Sequence, residues 1–354
     1  MPRWWPVVFT IPPTSECGAD PSGPRKTNER TRIGGHRHRD ISRPDHEREG
    51  RKAVLKARIG ISPIAWWNDD LEELSDDVSL EECLRQASEA GYSGIETGQR
   101  FPLSMKELGP ILDRYRLSIC GGWFSGQLLE GDLEAEKDRI RAQMDFFIAA
   151  GAPCIVYGET ARSIQGMQDK ALSAKPTVDA AEMKAYGRRI TAFAEWCAEE
   201  GMPISYHHHV GTVIETESEI EAFVNHTGEA VKLLYDTGHL AMAGGDISSM
   251  LAHHRRISHV HTKDIRQAVV SGLDRDKESF LDAVLKGAFT VPGDGDLPFE
   301  RIVFELAEKG YEGWFVVEAE QDPIISPPFD MAIKGHEELL RLLEAAHYRV
   351  IPYG

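Results

Sequence analysis

From Arg58 onward, apolar residues follow two alternating rhythms. Short, nearly continuous apolar runs read as buried strands: Arg58–Ile61, Gly94–Glu96, Leu117–Gly121, Cys154–Glu159, Pro203–His209, Val231–Asp236, Ile257–Lys263 and Gly313–Glu318. Between them, apolar residues recur at helical spacing. These stretches predict helices over Leu80–Ala90, Met105–Tyr115, Leu133–Ala150, Ala180–Glu200, Glu217–Asn225, Ile247–His254, Phe299–Lys309 and Met331–Ala346. Gly91, Gly151 and Gly201 close three of them, as expected of residues that tolerate a left-handed backbone. Eight strands alternating with helices predict an α/β chain folded as a (β/α)8 barrel. The competing architecture is an open doubly wound sheet, which usually carries a glycine-rich phosphate loop after its first strand. Here the first strand runs into Ser62-Pro63-Ile64-Ala65-Trp66-Trp67, which offers no phosphate cradle. The connections Thr160–Val178 and Arg266–Pro298 are long and follow strands, so both are expected to act as lids over the barrel mouth.

Residues 1–57 break the rhythm. They carry Pro12-Pro13, Gly34-Gly35 and an Arg/His-rich run from Arg30 to Arg51, with few periodic apolar residues. Such a segment buries too little to order itself, and a disordered basic extension is expected there. Residues 58–350 are expected to form a single catalytic domain. Net charge is −17; residues 1–57 contribute +5 and the remainder −22. A body this acidic repels phosphate backbones and disfavours nucleic-acid binding. No apolar run approaches the ~20 residues that span a bilayer, and no membrane association is expected. The five cysteines (Cys17, Cys83, Cys120, Cys154 and Cys197) are scattered and odd in number, which fits free thiols in a cytoplasmic protein.

The chemistry gathers at the ends of four successive strands. Tyr206-His207-His208-His209, Tyr235-Asp236-Thr237-Gly238-His239, His259-Val260-His261-Thr262-Lys263-Asp264 and Val317-Glu318-Ala319-Glu320 each finish an apolar run with metal-type ligands. In a parallel barrel those ends meet at one face. Residues two apart on a strand share a side, so His207 and His209 point one way while Tyr206 and His208 point the other. His207, Asp236, His261 and Glu318 together offer two imidazoles and two carboxylates, a donor set suited to a divalent cation. Lys263 shares the side of His261 and can bind a substrate oxygen or sit in a rim ion pair with Asp264 or Glu320. Glu320 can orient a ligand from behind. Trp66, Trp67 and Trp123 follow the first and third strands and are candidate walls of a polyol pocket. Glu96 ends the second strand, where a hydrogen-bonding or structural role is expected.

These strand ends, with Pro63-Ile64-Ala65-Trp66-Trp67-Asn68-Asp69-Asp70 and Gly94-Ile95-Glu96-Thr97-Gly98, resemble the xylose-isomerase-like TIM barrels and, among them, the inosose dehydratases. The resemblance runs from about Arg58 to His347. It implies a cytoplasmic lyase that removes water from 2-keto-myo-inositol (scyllo-inosose), giving a trihydroxycyclohexane-1,2-dione in myo-inositol catabolism. It also implies cobalt or manganese as cofactor, a requirement for glutathione, and pairing into a homo-oligomer. Epimerases and isomerases of the superfamily bind their ion through Glu, Asp, His and Glu. Asp236, His261 and Glu318 match the last three, while His207 stands where the first glutamate is expected. Glu159, ending the fourth strand, is the alternative fourth ligand and a candidate substrate contact.

That departure bears on the reaction. Epimerisation needs a base on each face of a planar intermediate, whereas dehydration needs one base and one acid. Glu318 or a nearby histidine is the expected base; His209, His239 or Lys263 is the expected acid. A sugar or inosose epimerase or isomerase remains an alternative. So does a metal-dependent phosphodiesterase of the endonuclease type, which the acidic body disfavours.

Overall fold

The computed structural model describes residues 54–68, 71, 74 and 78–353. The expectation of a disordered extension therefore lies almost wholly outside the described residues. Its boundary moves, however. Strand β1 spans Lys56–Ile61, because Lys56 and Ala57 pair with Arg349 and Val350 of a short C-terminal strand.

Eight parallel strands close on themselves. They are β1, β2 (Gly94–Thr97), β3 (Ser118–Gly126), β4 (Ile155–Glu159), β5 (Ile204–His207), β6 (Lys232–Asp236), β7 (Ile257–Thr262) and β10 (Gly313–Val317). Pairing of β10 with β1 completes the ring, with Ile59 opposite Phe315 and Ile61 opposite Val317. Closure removes the free edges that would otherwise invite aggregation. The outer layer includes α1 (Leu80–Glu89), α2 (Met105–Tyr115), α3 (Leu133–Ala150), α4 (Ala180–Glu199) and α5 (Glu217–His226). Their starts obey local chemistry: Ser79, Asp132, Asp179 and Thr216 each accept a hydrogen bond from a first-turn backbone N–H. The main core lies between strands and helices, where Tyr157, Tyr186, Phe193, Tyr206 and Phe223 pack together.

One predicted element changes, and an unpredicted one appears beside the site. The stretch predicted as a helix over Ile247–His254 forms a 3-10 turn at Ser249–His253. An unpredicted helix, α6 (Thr237–Met242), starts directly after β6, because the Asp236 side chain caps it through Oδ1 to the His239 N–H at 2.8 Å.

The floor of the barrel is filled. Trp314 points into the lumen beside Cys120 and Val316. Only glycine fits opposite it: a Cβ on Gly94 would lie 2.4 Å from the indole, and one on Gly60 would lie 2.8 Å from the Cys120 Sγ.

Both long connections cover the mouth. The β7 connection carries β8 (Asp264–Ile265), antiparallel to β9 (Phe289–Thr290), with helices α7 (Gln267–Ser271) and α8 (Phe280–Leu285) between them. Leu172 from the β4 connection, Val210, Met242, Ile265, Phe280 and Phe289 form a second apolar core above the barrel. The two lids are clasped by backbone bonds, Leu172 N–H to Glu278 O and Ser173 N–H to Arg275 O, both at 2.8 Å. Helices α9 (Phe299–Glu308) and α10 (Pro328–Ala345) complete the outer layer.

Candidate metal centre

The C-terminal ends of β5, β6, β7 and β10 deliver His207, Asp236, His261 and Glu318 to one point. One ligand atom from each lies within 4.8 Å of the others. His207 Nε2 is 3.4 Å from Asp236 Oδ2, His261 Nδ1 is 3.5 Å from the same oxygen, and His261 Nδ1 is 2.9 Å from Glu318 Oε2. Asp236 Oδ2, His261 Nδ1 and Glu318 Oε2 are all buried, yet none makes an aligned hydrogen bond. Buried polar atoms left without partners are costly. Here they converge, and a divalent cation would satisfy them all. The residues fit a divalent metal.

Each residue of Asp236-Thr237-Gly238-His239 has a separate task. Asp236 caps α6 with one oxygen and turns the other to the cluster. Thr237 Oγ1 donates to the Lys263 carbonyl at 2.6 Å, tying the β6 and β7 ends together. Gly238 leaves room for the Lys263 stem, since a Cβ there would lie 2.5 Å from its Cγ. His239 faces a second cluster beside the first.

That second cluster contains His209, His239, Glu320 and Lys263. The Lys263 ammonium donates to Glu320 Oε2 at 2.5 Å and to His239 Nε2 at 2.8 Å, and it lies 3.0 Å from Glu318 Oε2. His209, His239 and Glu320 alone would make a plausible ligand trio, but this ammonium already supplies the positive charge among them. Lys263 therefore pairs with Glu320, while Asp264 turns away to accept the N–H groups of Ile265, Gly295 and Leu297.

Burial and neighbouring charge set the protonation states. Burial would neutralise Lys263, but the Glu318, Glu320 and Asp236 carboxylates outweigh it and hold the ammonium charged. Burial raises the Glu320 carboxyl, yet Lys263 above all brings it down to about 2. Burial, then the nearby His209 and Lys263, keep His239 neutral, well below the usual imidazole range. Burial lowers His207, against the pull of Asp236. His261 goes the other way: burial opposes its charge, but Glu96 and Glu318 raise it well above the ordinary range.

The remaining sequence candidates separate clearly. Trp123 lines the site, its ring centroid 5.6 Å from that of His207 and 6.0 Å from that of His209. Trp66 and Trp67 do not join it. Trp66 donates to Gln86 on α1 and Trp67 to the Val78 carbonyl, and both belong to the main core. Glu159 shares the outward side of β4 with Tyr157 and accepts the Leu129 and Ala161 N–H groups, so it is absent from the ligand cluster. The alternation that places His207 in the lumen explains this, because Glu159 follows Tyr157 by two residues. Phe280 of the lid was not legible in the sequence. It packs on His209 and His239, with centroids 5.1 and 5.8 Å apart, and lay hidden in a long connection with no periodic signal.

A closed parallel barrel with a His–Asp–His–Glu set over its C-terminal mouth defines a metal-binding barrel enzyme. The family model described as "Xylose isomerase-like TIM barrel" matches residues 84–345. Among curated relatives, the rhizopine catabolism protein MocC of Rhizobium meliloti is 42% identical over 302 residues, covering 85% of this chain and 93% of that protein. The inosose dehydratase of Geobacillus thermodenitrificans is 42% identical over 285 residues, covering 80% and 96%. Among solved structures, the IOLI protein with a binding zinc atom aligns with a TM-score of 0.60 at 14% identity, covering 82% of this chain and 99% of that one. A D-tagatose 3-epimerase-like protein aligns with a TM-score of 0.55 at 18% identity, covering 82% and 98%. The chain belongs to the xylose isomerase-like TIM barrel family and, within it, to the family of the inosose dehydratases.

Proposed function

We propose that this protein is a metal-dependent hydro-lyase that dehydrates 2-keto-myo-inositol (scyllo-inosose) to a trihydroxycyclohexane-1,2-dione. One observation carries the reading: the Lys263 ammonium and the His209 and His239 imidazoles stand side by side next to the metal-ligand set. His207, Asp236, His261 and Glu318 would hold the ion. When bound, it supplies Lewis-acid polarisation of the ketone. Two imidazoles and two carboxylates suit manganese, cobalt or zinc; manganese and cobalt are the ions to load first, with glutathione added as a separate variable.

The chain's own residues supply the proton transfers. His209 Nδ1 donates to the Val210 carbonyl at 2.7 Å, which turns Nε2, 3.7 Å from Glu320 Oε1, toward the second cluster as the nitrogen that would take a proton. In the proposed reaction the C–H bond beside the ketone breaks and its proton passes to His209 Nε2. Its electron pair moves onto the ketone oxygen, giving an enediolate. The neighbouring β C–O bond then breaks, and Lys263 Nζ protonates the departing hydroxyl to release water. The resulting enol tautomerises to the dione. Glu320 holds Lys263 in place, and Trp123 offers a flat wall for the ring's C–H face. Phe280 packs on the His209 and His239 rings beneath the clasped lids, and a cover of this kind would keep bulk water from the reacting groups and so strengthen each charge inside.

An epimerase would need a second base across the intermediate. His207 takes the place of the first carboxylate, and Glu159 lies outside the lumen side. The four described free cysteines, all buried, support a cytoplasmic setting. Among the described residues no helix is long and apolar enough to cross a membrane. Incubating manganese- or cobalt-loaded protein with scyllo-inosose should produce the absorbance of a conjugated diketone. Interconversion of ketoses without any dione would replace this reading with the epimerase.

A further inference from the structure

Glu96 stands on β2, across the barrel from the ligand-bearing strands, and is 4% exposed. Its Oε1 receives two histidine N–H groups, His259 Nε2 at 2.9 Å and His261 Nε2 at 3.1 Å. The backbone is shaped to allow this. The pairing of β2 with β3 slips between Ile95 and Glu96, so Glu96 lies opposite Gly121. Gly121 holds φ +150°, and a Cβ there would come within 3.3 Å of Glu96 Oε1. A register slip and a glycine in a conformation side chains rarely adopt therefore serve to seat one buried carboxylate.

The consequence falls on His261. An imidazole that donates Nε2–H to Glu96 keeps its Nδ1 lone pair for the opposite direction, and Nδ1 is the atom that faces Asp236 Oδ2 and Glu318 Oε2. We infer that Glu96 is a positioning residue for the metal centre: it fixes the tautomer and orientation of His261 so that Nδ1 is the ligand atom, and it braces that ring against His259 one layer below. Carboxylates behind ligating histidines raise ligand basicity and lock ring orientation, and their loss weakens metal binding about 10- to 100-fold. Glu96 itself lies on the far side of His261 from the other three ligands, so it acts through the imidazole. This inference rests on the reading of His207, Asp236, His261 and Glu318 as metal ligands.

The test compares full-length wild type with Glu96→Gln, which keeps size and an acceptor oxygen but removes the charge. Titration with manganese should give a dissociation constant raised about 10- to 100-fold in the variant. In the zinc-loaded proteins, the His261 Nε2–H proton should resonate at low field in wild type and move upfield in Glu96→Gln, a shift that a merely space-filling residue would not produce. Should Glu96→Gln fail to fold, Glu96→Asp, which keeps the charge but withdraws the oxygen from both rings, carries the same two expectations. Wild-type manganese affinity together with an unmoved His261 resonance in the folded variant overturns the role of Glu96. Failure of the wild type itself to bind manganese or zinc overturns the four-ligand centre instead.

Discussion

Asp236 divides its two oxygens between architecture and chemistry, and the division can be tested. Asparagine keeps an oxygen for the α6 cap, where Asn and Asp serve about equally well, but it removes the anionic ligand. Asp236→Asn should therefore melt close to wild type while losing manganese affinity by about 100-fold or more; calorimetric titration beside a thermal melt checks both halves. His261 gives a second expectation. Glu96 and Glu318 hold its pKa up, so at pH 7 the metal-free chain carries a proton that a cation must displace. His207, held low by burial, has none to lose. Metal binding should release about one proton and tighten as pH rises; titrations in two buffers of different ionisation heat would reveal it, and zero release would contradict the assignment. At this scale the convergence of His207, Asp236, His261 and Glu318 was legible because each ends an apolar run, and strand alternation sorts lumen from exterior. Trp66 and Trp67 were misread because an indole after a strand fits a core or a pocket equally well. The role of Glu96 was only partly legible, since its partners lie 163 and 165 residues away.

The lids form a distinct element. Their apolar core draws Leu172 from one connection and Phe280 and Phe289 from the other, separate from the core between strands and helices. Two backbone bonds and a modest cluster should open more readily than a closed barrel. Hydrogen exchange should therefore show Leu172 and Ser173 amides opening at lower free energy than those of β5 or β6. Phe280→Ala removes a ring worth about 3–5 kcal/mol where fully packed; it should abolish protection at Leu172 and Ser173 and leave the strands unchanged. Uniform loss across both would mean that lids and barrel unfold as one unit. The long connections flagged the lids in the sequence. Helix α6 escaped notice because its cap also belongs to the candidate ligand cluster, so Asp236 reads as chemistry before it reads as a helix start.

Across the whole molecule, one buried carboxyl couples stability to pH. Burial pushes Glu159 from an ordinary carboxylate value of 4.5 up to about 7, against the hydrogen bonds from Ala161 and Leu129. A raised folded-state pKa means that the native chain holds this proton longer than the unfolded chain does. Its contribution is complete below pH 4.5 and falls away as pH rises through about 7. The difference in melting temperature between wild type and Glu159→Gln should therefore drift against wild type across that window, and a difference flat from pH 5 to 8 would refute the assignment. The barrel's closure followed from eight periodic runs, but its sealed base did not, because nothing local marks Trp314 as an inward residue. That stopper, seated against two bare glycines, closes the barrel lumen at its base, while the clasped loops lie over its other end. Entry of a ketone and exit of water and dione are therefore expected past those loops, and a variant whose clasp opens faster is expected to release product sooner.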